Sequence, residues 1–182
     1  MKIILGVTGS ISAYRAADIG NRLTKEGFDV QVILTDGGSQ FITPLTLQTL
    51  TKNPVHMDAF SEEDPKSVKH IDLAQKSDLI LIAPATANII GKVASGIADD
   101  LLSATIMAAY GQTPVYIAPA MNTIMYENPI VQGNIEKLRS LGYNFIDPKD
   151  DHLACGTTGK GALADVDRIV DTIKLAGGMV SR

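Results

Sequence analysis

Residues 2–7 (KIILGV), 78–83 (DLILIA) and 114–118 (PVYIA) are short runs made almost wholly of apolar side chains. None alternates apolar with polar, so each reads as a strand covered on both faces, the signature of a buried parallel sheet. Parallel neighbours need a crossover element between them, usually a helix. The intervening sequence has that character. Ala13, Ala16, Ala17, Gly20 and Leu23 fall on one helical face, while Arg15, Asp18, Arg22 and Lys25 lie on or near the other, and Gly27 ends the pattern. Residues 28–34 form a second strand, 45–51 a helix after Pro44, and 143–146 a fifth strand. Residues 97–110 read as a helix apolar nearly all round through Leu101, Leu102, Ile106, Met107 and Ala109, suited equally to an interior or to a subunit contact. Val166, Ile169, Val170 and Ile173 give a last helix one apolar stripe.

Alternating strands and helices of this length predict an α/β fold, a single doubly wound parallel sheet of Rossmann or flavodoxin type with helices on both faces. The 182 residues suit one domain spanning 1–182, and no composition shift marks a linker. In such a sheet ligands sit outside the carboxyl ends of the strands. The unusual motifs fall there: GVTGSIS (6–12), LTDGGS (34–39), APATAN (83–88) and APAMN (118–122). Turn chemistry accounts for their glycines and prolines. It does not account for Asn88 and Asn122 recurring just after the third and fourth strands.

GVTGSIS is neither a dinucleotide fingerprint nor a Walker loop, lacking the spacing of the one and the Lys-Ser/Thr ending of the other. It sets Ser10 and Ser12 at a helix start, where they either bind a phosphate or simply cap the helix; Thr35 adds a hydroxyl. His70 stands where the chain enters a helix before the third apolar run; His56 and His152 have no neighbours at metal-ligand spacing, and no metal is expected. No G-x-S-x-G elbow supports a serine hydrolase. The one cysteine, Cys155, lies in ACGTTGKG (154–161), where the surrounding glycines predict an exposed loop able to close over a ligand. A single thiol forms no internal disulfide and suits a reducing cytoplasm. A net charge of −4 without a basic cluster argues against nucleic acid, and the apolar run IILGV is too short for a membrane span.

The motifs together resemble a known family. PATANI (84–89) resembles the PASANT motif of the homo-oligomeric flavin-containing cysteine decarboxylases, and PAMNTIMY (119–126) resembles their PxMNxxMW motif. ACGTTGKGAL (154–163) resembles the A-C-G-x-x-G-x-G segment of the branch that acts on phosphopantothenoylcysteine in coenzyme A biosynthesis. With G-S-I-S-A-Y and His70, the likeness runs from about residue 2 to residue 170. Tyr126 replaces the family tryptophan, Thr86 a serine and Ile89 a threonine; the tyrosine keeps an aromatic ring, and none of the three removes a reacting group.

The resemblance implies FMN as cofactor. Ser10, Ile11, Ser12 and Thr35 would hold its phosphate region, Pro84, Thr86, Ala87 and Asn88 would lie along the flavin ring, and Ala120 would close the other side. Asn122 would bind the carboxylate of the substrate's cysteine moiety, with His70 as the acid–base residue beside it. Ala154, Cys155 and Gly156 would belong to a flexible substrate clamp around 148–162, with Cys155 the proton donor. The implied reaction converts 4′-phosphopantothenoylcysteine to 4′-phosphopantetheine and CO2. Oxidation of the thiol-bearing carbon gives a thioaldehyde β to the carboxylate, loss of CO2 gives an enethiolate, and reduction with protonation completes it. The resemblance also implies a homotrimer or a dodecamer of trimers, and the end of the chain soon after its last helix suggests a stand-alone decarboxylase. Two other readings stay open here: an oxidative decarboxylase of a peptide's C-terminal cysteine, and a non-catalytic flavin-fold regulatory subunit.

Overall fold

The computed structural model describes residues 1–60, 68–152 and 158–180. Six strands form one sheet: β1 (Lys2–Val7), β2 (Asp29–Leu34), β3 (Val55–His56), β4 (Leu79–Ala85), β5 (Val115–Pro119) and β6 (Asn144–Phe145). Their order is β3-β2-β1-β4-β5-β6, and every pairing is parallel. The doubly wound α/β sheet expected from the apolar runs is therefore present. All seven residues of β4 are buried, as a strand covered on both faces must be. The strand not anticipated is β3, whose two residues are too few to carry any periodicity.

Nine helices among the described residues surround the sheet: α1 (Arg15–Lys25, after a 3-10 turn at Ile11–Tyr14), α2 (Asp36–Ser39), α3 (Pro44–Thr51), α4 (Lys69–Gln75), α5 (Ala87–Ser95), α6 (Leu101–Ala108), α7 (Thr123–Glu127), α8 (Pro129–Ser140) and α9 (Val166–Val180). Strand residues pointing one way, such as Ile3, Leu5, Val7 and Leu81, pack with Ala16, Ile19 and Leu23 of α1 and Ile169 and Ile173 of α9. Their alternates Ile4, Ile80 and Ile82 pack with Ile90 of α5, Leu102 and Ile106 of α6 and Leu138 of α8. Period-2 strands thus feed two separate cores.

The stretch 97–110 divides differently from the expectation. Gly96, with φ of 72°, closes α5 in the left-handed region, and Asp100 opens α6 as its N-cap. Residues 97–99 are a connection, and the helix spans only Leu101–Ala108. Its Leu101, Leu102 and Ile106 are at most 1% exposed within one chain, so its apolar perimeter belongs to the interior. Helix α5 follows the APATAN turn at once, and α8 buries only Ile135 and Leu138, a stripe too thin to stand out in sequence.

A separate two-stranded antiparallel ribbon, β7 (Lys149–His152) with β8 (Thr158–Ala162), follows the sheet. It flanks in sequence the Cys155 segment; Ala154, Cys155 and Gly156 themselves lie outside the described residues.

Candidate active site

The strand order reverses at β1, which has β2 on one side and β4 on the other, so a crevice opens at their carboxyl ends. Thr8, just past β1 and 3% exposed, ties the two rims together. Its hydroxyl donates to the Pro84 carbonyl at 2.7 Å and accepts from the Thr86 amide at 3.1 Å. Ala120 N donates to Ala85 O at 3.0 Å, joining the PAMN turn to the same floor. The loops after β1 and β2 press together: a Cβ added at Gly9 would lie 2.9 Å from the Gly37 backbone. Only glycine permits that approach.

These loops bound a cleft of about 1210 Å³, larger than the ~300–1,000 Å³ of ordinary small-molecule sites and roomy enough for a cofactor together with a substrate. Ser10, Ile11, Ser12, Thr35, Thr86, Ala87, Asn88, Ala120 and Asn122 all line it. The convergence anticipated from four separate motifs is thus physical. Pro84 does not line the cleft; it lies behind the wall, where its carbonyl anchors Thr8. His70, at the start of α4, is not among the lining residues either. Within one chain the structure does not bring it to the site.

Several lining side chains double as caps. Ser10 Oγ accepts from Ser12 N at 3.2 Å, which leaves its hydroxyl hydrogen able to donate outward. Thr35 Oγ1 accepts from Gly38 N and donates to Val7 O, and Thr86 Oγ1 accepts from Ile89 N. Asn122 Oδ1 caps α7 by accepting from Ile124 N at 2.8 Å, which fixes the carboxamide's orientation. Tyr126, at the family's tryptophan position, is 6% exposed in the second core, with Lys160 Nζ 5.8 Å from its ring centre.

Strand β8 docks against the PAMN turn. Met121 N donates to Gly161 O at 2.9 Å. Gly161 has φ of 146°, and a Cβ there would fall 2.4 Å from Met121 O. A Cβ at Gly159 would meet Thr123 Oγ1 at 2.8 Å. Two glycines of the ACGTTGKG run are therefore needed for contact with the other family motif, which sequence alone does not reveal.

The charged walls were not legible as a site. Lys92 Nζ lies 2.6 Å from Asp99 and 2.7 Å from Asp100, and Lys149 Nζ lies 2.8 Å from Asp165 and 2.9 Å from Asp151. Hydrogen bonds to Asp100 and Asp99 raise the Lys92 ammonium above its ordinary range, and those to Asp165 and Asp151 do the same for Lys149. Burial pushes the Asp100 carboxyl up, but Lys92 and the Ser103 amide and hydroxyl outweigh it and leave the group below its ordinary 3.8. Asp100 and Ser103 also form a reciprocal capping box. Asp100→Asn keeps a competent cap and loses the ion pair; Asp100→Ala loses both and should cost about 1 kcal/mol more. Because the folded value lies below 3.8, the pair's contribution is full above that pH and disappears as pH falls through the folded value. Denaturation across an acid series should show the gap between wild type and Asp100→Asn closing below that pH. A gap independent of pH would remove Asp100 from the acid response.

The donors fit a phosphorylated, flat cofactor. Ser10 offers a hydroxyl at a helix start, Gly9 and Gly37 let the two loops beside it approach closely, and Ala87 and Ala120 line the same cleft with small side chains. Comparisons with known proteins agree. Residues 1–176 match the family model described as Flavoprotein. A probable phosphopantothenoylcysteine decarboxylase from Streptococcus mutans is 50% identical over 173 residues, covering 95% of this chain and 97% of that one. The coenzyme A biosynthesis bifunctional protein CoaBC of Bacillus subtilis is 47% identical over 168 residues, 92% of this chain but 41% of that protein. Among solved structures, a cysteine-to-serine mutant of PPC decarboxylase complexed with pantothenoylaminoethenethiol superposes with a TM-score of 0.88 at 31% identity, covering 97% and 98% of the two chains. The FMN-binding protein AtHal3 gives 0.82 at 31% identity over 96% and 95%. A parallel sheet with its loops gathered on one cleft, matched along nearly the full length of this chain by these relatives, places the chain in the Flavoprotein family.

Proposed function

We propose that this chain catalyses the FMN-dependent decarboxylation of 4′-phosphopantothenoylcysteine to 4′-phosphopantetheine and CO2 in coenzyme A biosynthesis. The observation that carries the reading is the meeting of the PATAN turn, the PAMN turn and β8 on one cleft, with Asn122 in its wall. The likeness to the S. mutans relative over nearly the whole of both chains supports it.

Ser10, Ile11, Ser12 and Thr35 would hold the FMN phosphate region, while Thr86, Ala87, Asn88 and Ala120 would line the flavin ring. FMN, when bound, supplies a two-electron acceptor and donor for the thiol-bearing carbon. The protein's own part is placement. Asn122, held by its cap, would meet the substrate carboxylate with its NH2 donor. The charge left behind as CO2 departs is then delocalised onto sulfur within the substrate. Residues 148–162 act as the clamp, and Cys155 as the proton donor for the closing reduction. A thiol of ordinary pKa near 8.5 is mostly protonated at neutrality and yet labile. Pantothenoylaminoethenethiol, the ligand named for the cysteine-to-serine mutant, is the kind of species that would persist without that donor.

Anaerobic incubation of the FMN-loaded chain with 4′-phosphopantothenoylcysteine tests the reading. Loss of one CO2 from the substrate mass, with the flavin spectrum returning to its oxidised form, is the expected result. Bound FMN without any mass change would defeat it.

The site would be completed by a second copy of the chain in a homotrimer, alone or as part of a dodecamer, in the cytoplasm. Two features support the assembly: His70 is not among the residues lining the cleft of its own chain, and Ile11, Tyr14 and Met125 leave apolar side chains exposed along it. His70→Asn and Cys155→Ser chains, each inactive alone, should recover about a quarter of wild-type turnover when co-assembled, since random mixing pairs an intact His70 with an intact Cys155 at that frequency. No recovery in mixed oligomers would return both residues to one chain.

A further inference from the structure

The cleft is lined by five carboxylates (Asp36, Asp58, Asp99, Asp100, Asp151) and three cations (Arg15, Lys92, Lys149). Both molecules expected there carry a phosphate monoester, so the cations decide where an anion can settle. Two are committed already. Lys92 bridges Asp99 and Asp100, and Lys149 bridges Asp151 and Asp165. Arg15 differs, pairing with no carboxylate among the described residues. Its Nε donates to the Tyr14 hydroxyl at 3.1 Å, and its two terminal nitrogens make no hydrogen bond to any described residue. A guanidinium braced at Nε presents its planar fork, the geometry that matches two phosphate oxygens at once. It sits on the first turn of α1, one helical turn past Ser12, on the same wall as Ser10 and Ser12.

We propose that Arg15 is the phosphate-binding cation of this cleft, a specificity-determining residue held ready by Tyr14. The ligand class is a phosphate monoester dianion, carried either by FMN or by the 4′-phosphate of the substrate. Only the substrate source rests on the decarboxylase reading. In either case the discrimination is between a phosphorylated molecule and its dephosphorylated counterpart, to which Arg15 would add a full charge beside the hydroxyls of Ser10 and Ser12.

The test uses the full chain with Arg15→Gln and Arg15→Lys. The first arm titrates FMN and riboflavin into the apoprotein by fluorescence. The second compares kcat/KM for 4′-phosphopantothenoylcysteine and for pantothenoylcysteine on the FMN-saturated protein. Arg15→Gln should lose about 10–100-fold toward the phosphorylated member of one pair, the size of a charge-assisted contact, and leave the dephosphorylated member unchanged. Arg15→Lys should recover part of that loss as a point charge. The FMN pair responding assigns Arg15 to the cofactor, and the substrate pair responding assigns it to the substrate. An unchanged preference in both pairs, with a wild-type melting temperature, overturns the proposal. A wild-type chain that turns over neither substrate, yet loses its FMN preference on Arg15→Gln, would defeat the decarboxylase reading and leave this one standing.

Discussion

Cys155→Ser is expected to release CO2 and then stall, with an enethiol product accumulating and turnover to phosphopantetheine falling by about 10²–10⁴, the span ordinarily attributed to a positioned general acid. Serine is close to cysteine in size, so the clamp should still close. Its hydroxyl is a far weaker acid than a thiol, however, and cannot deliver a proton on the same timescale. Mass spectrometry of the quenched reaction separates the outcomes: a species lighter than substrate by CO2 and two hydrogens marks the stall, and one lighter by CO2 alone marks completion. Wild-type yields of phosphopantetheine would dismiss Cys155 as the donor. Stopping before CO2 release would move it to an earlier step.

Gly161→Ala should be the most damaging change outside the reacting groups. The backbone there has φ of 146°, a region that side chains disfavour, and the added Cβ would press on Met121 O at 2.4 Å. Backbone must move because backbone is what it meets. Strain and displacement together should cost about 2–4 kcal/mol. The bond from Met121 N to Gly161 O would break with it, separating β8 from the turn that carries Asn122. A shift of about 1 Å in a reacting geometry is worth roughly 10² in rate. The expected signature is kcat/KM down by about that factor while FMN affinity, which the proposed function assigns to the Ser10 and Thr35 region, stays near wild type. Gly111→Ala is the control: φ of 74° there is also left-handed, but no atom lies within 4 Å of the added Cβ. If Gly111→Ala impairs kcat/KM as much, contact with Met121 is not the cause.

Much of this architecture was legible in the chain itself. Wholly apolar strands leave a parallel sheet covered on both faces as the natural solution, and β1 was read to the residue. Strand ends and the motifs behind them follow directly, because a doubly wound sheet exposes the same edge of every strand to ligand. Asn88 and Asn122 stand out this way; both line the cleft, and Asn122 is a helix cap as well. The two-residue β3, the break between α5 and α6 and the stripe-poor α8 were not seen, since each is defined by a tertiary contact and not by a local repeat.

Arg15 shows where that reading stops. Helical periodicity put it on the polar face of α1 with Asp18, Arg22 and Lys25, and the structure turns it into the cleft. Lys92 and Asp100, eight residues apart across a helix end, meet in an ion pair that no spacing rule predicts. His70, prominent as a motif residue, stands outside the cleft of its own chain. The amino-acid sequence alone determined the sheet, its polarity and the strand ends that face ligand, because backbone hydrogen bonding and apolar burial act through short periodic patterns; the family motifs added nine residues of the cleft wall. Which charges neutralise one another, which cation remains for an anion, and which glycines are in contact across the cleft were decided only by tertiary structure. Those depend on distances between segments far apart in the chain, since steric contacts and hydrogen-bonded ion pairs act within a few ångströms and screened charges within about 10 Å.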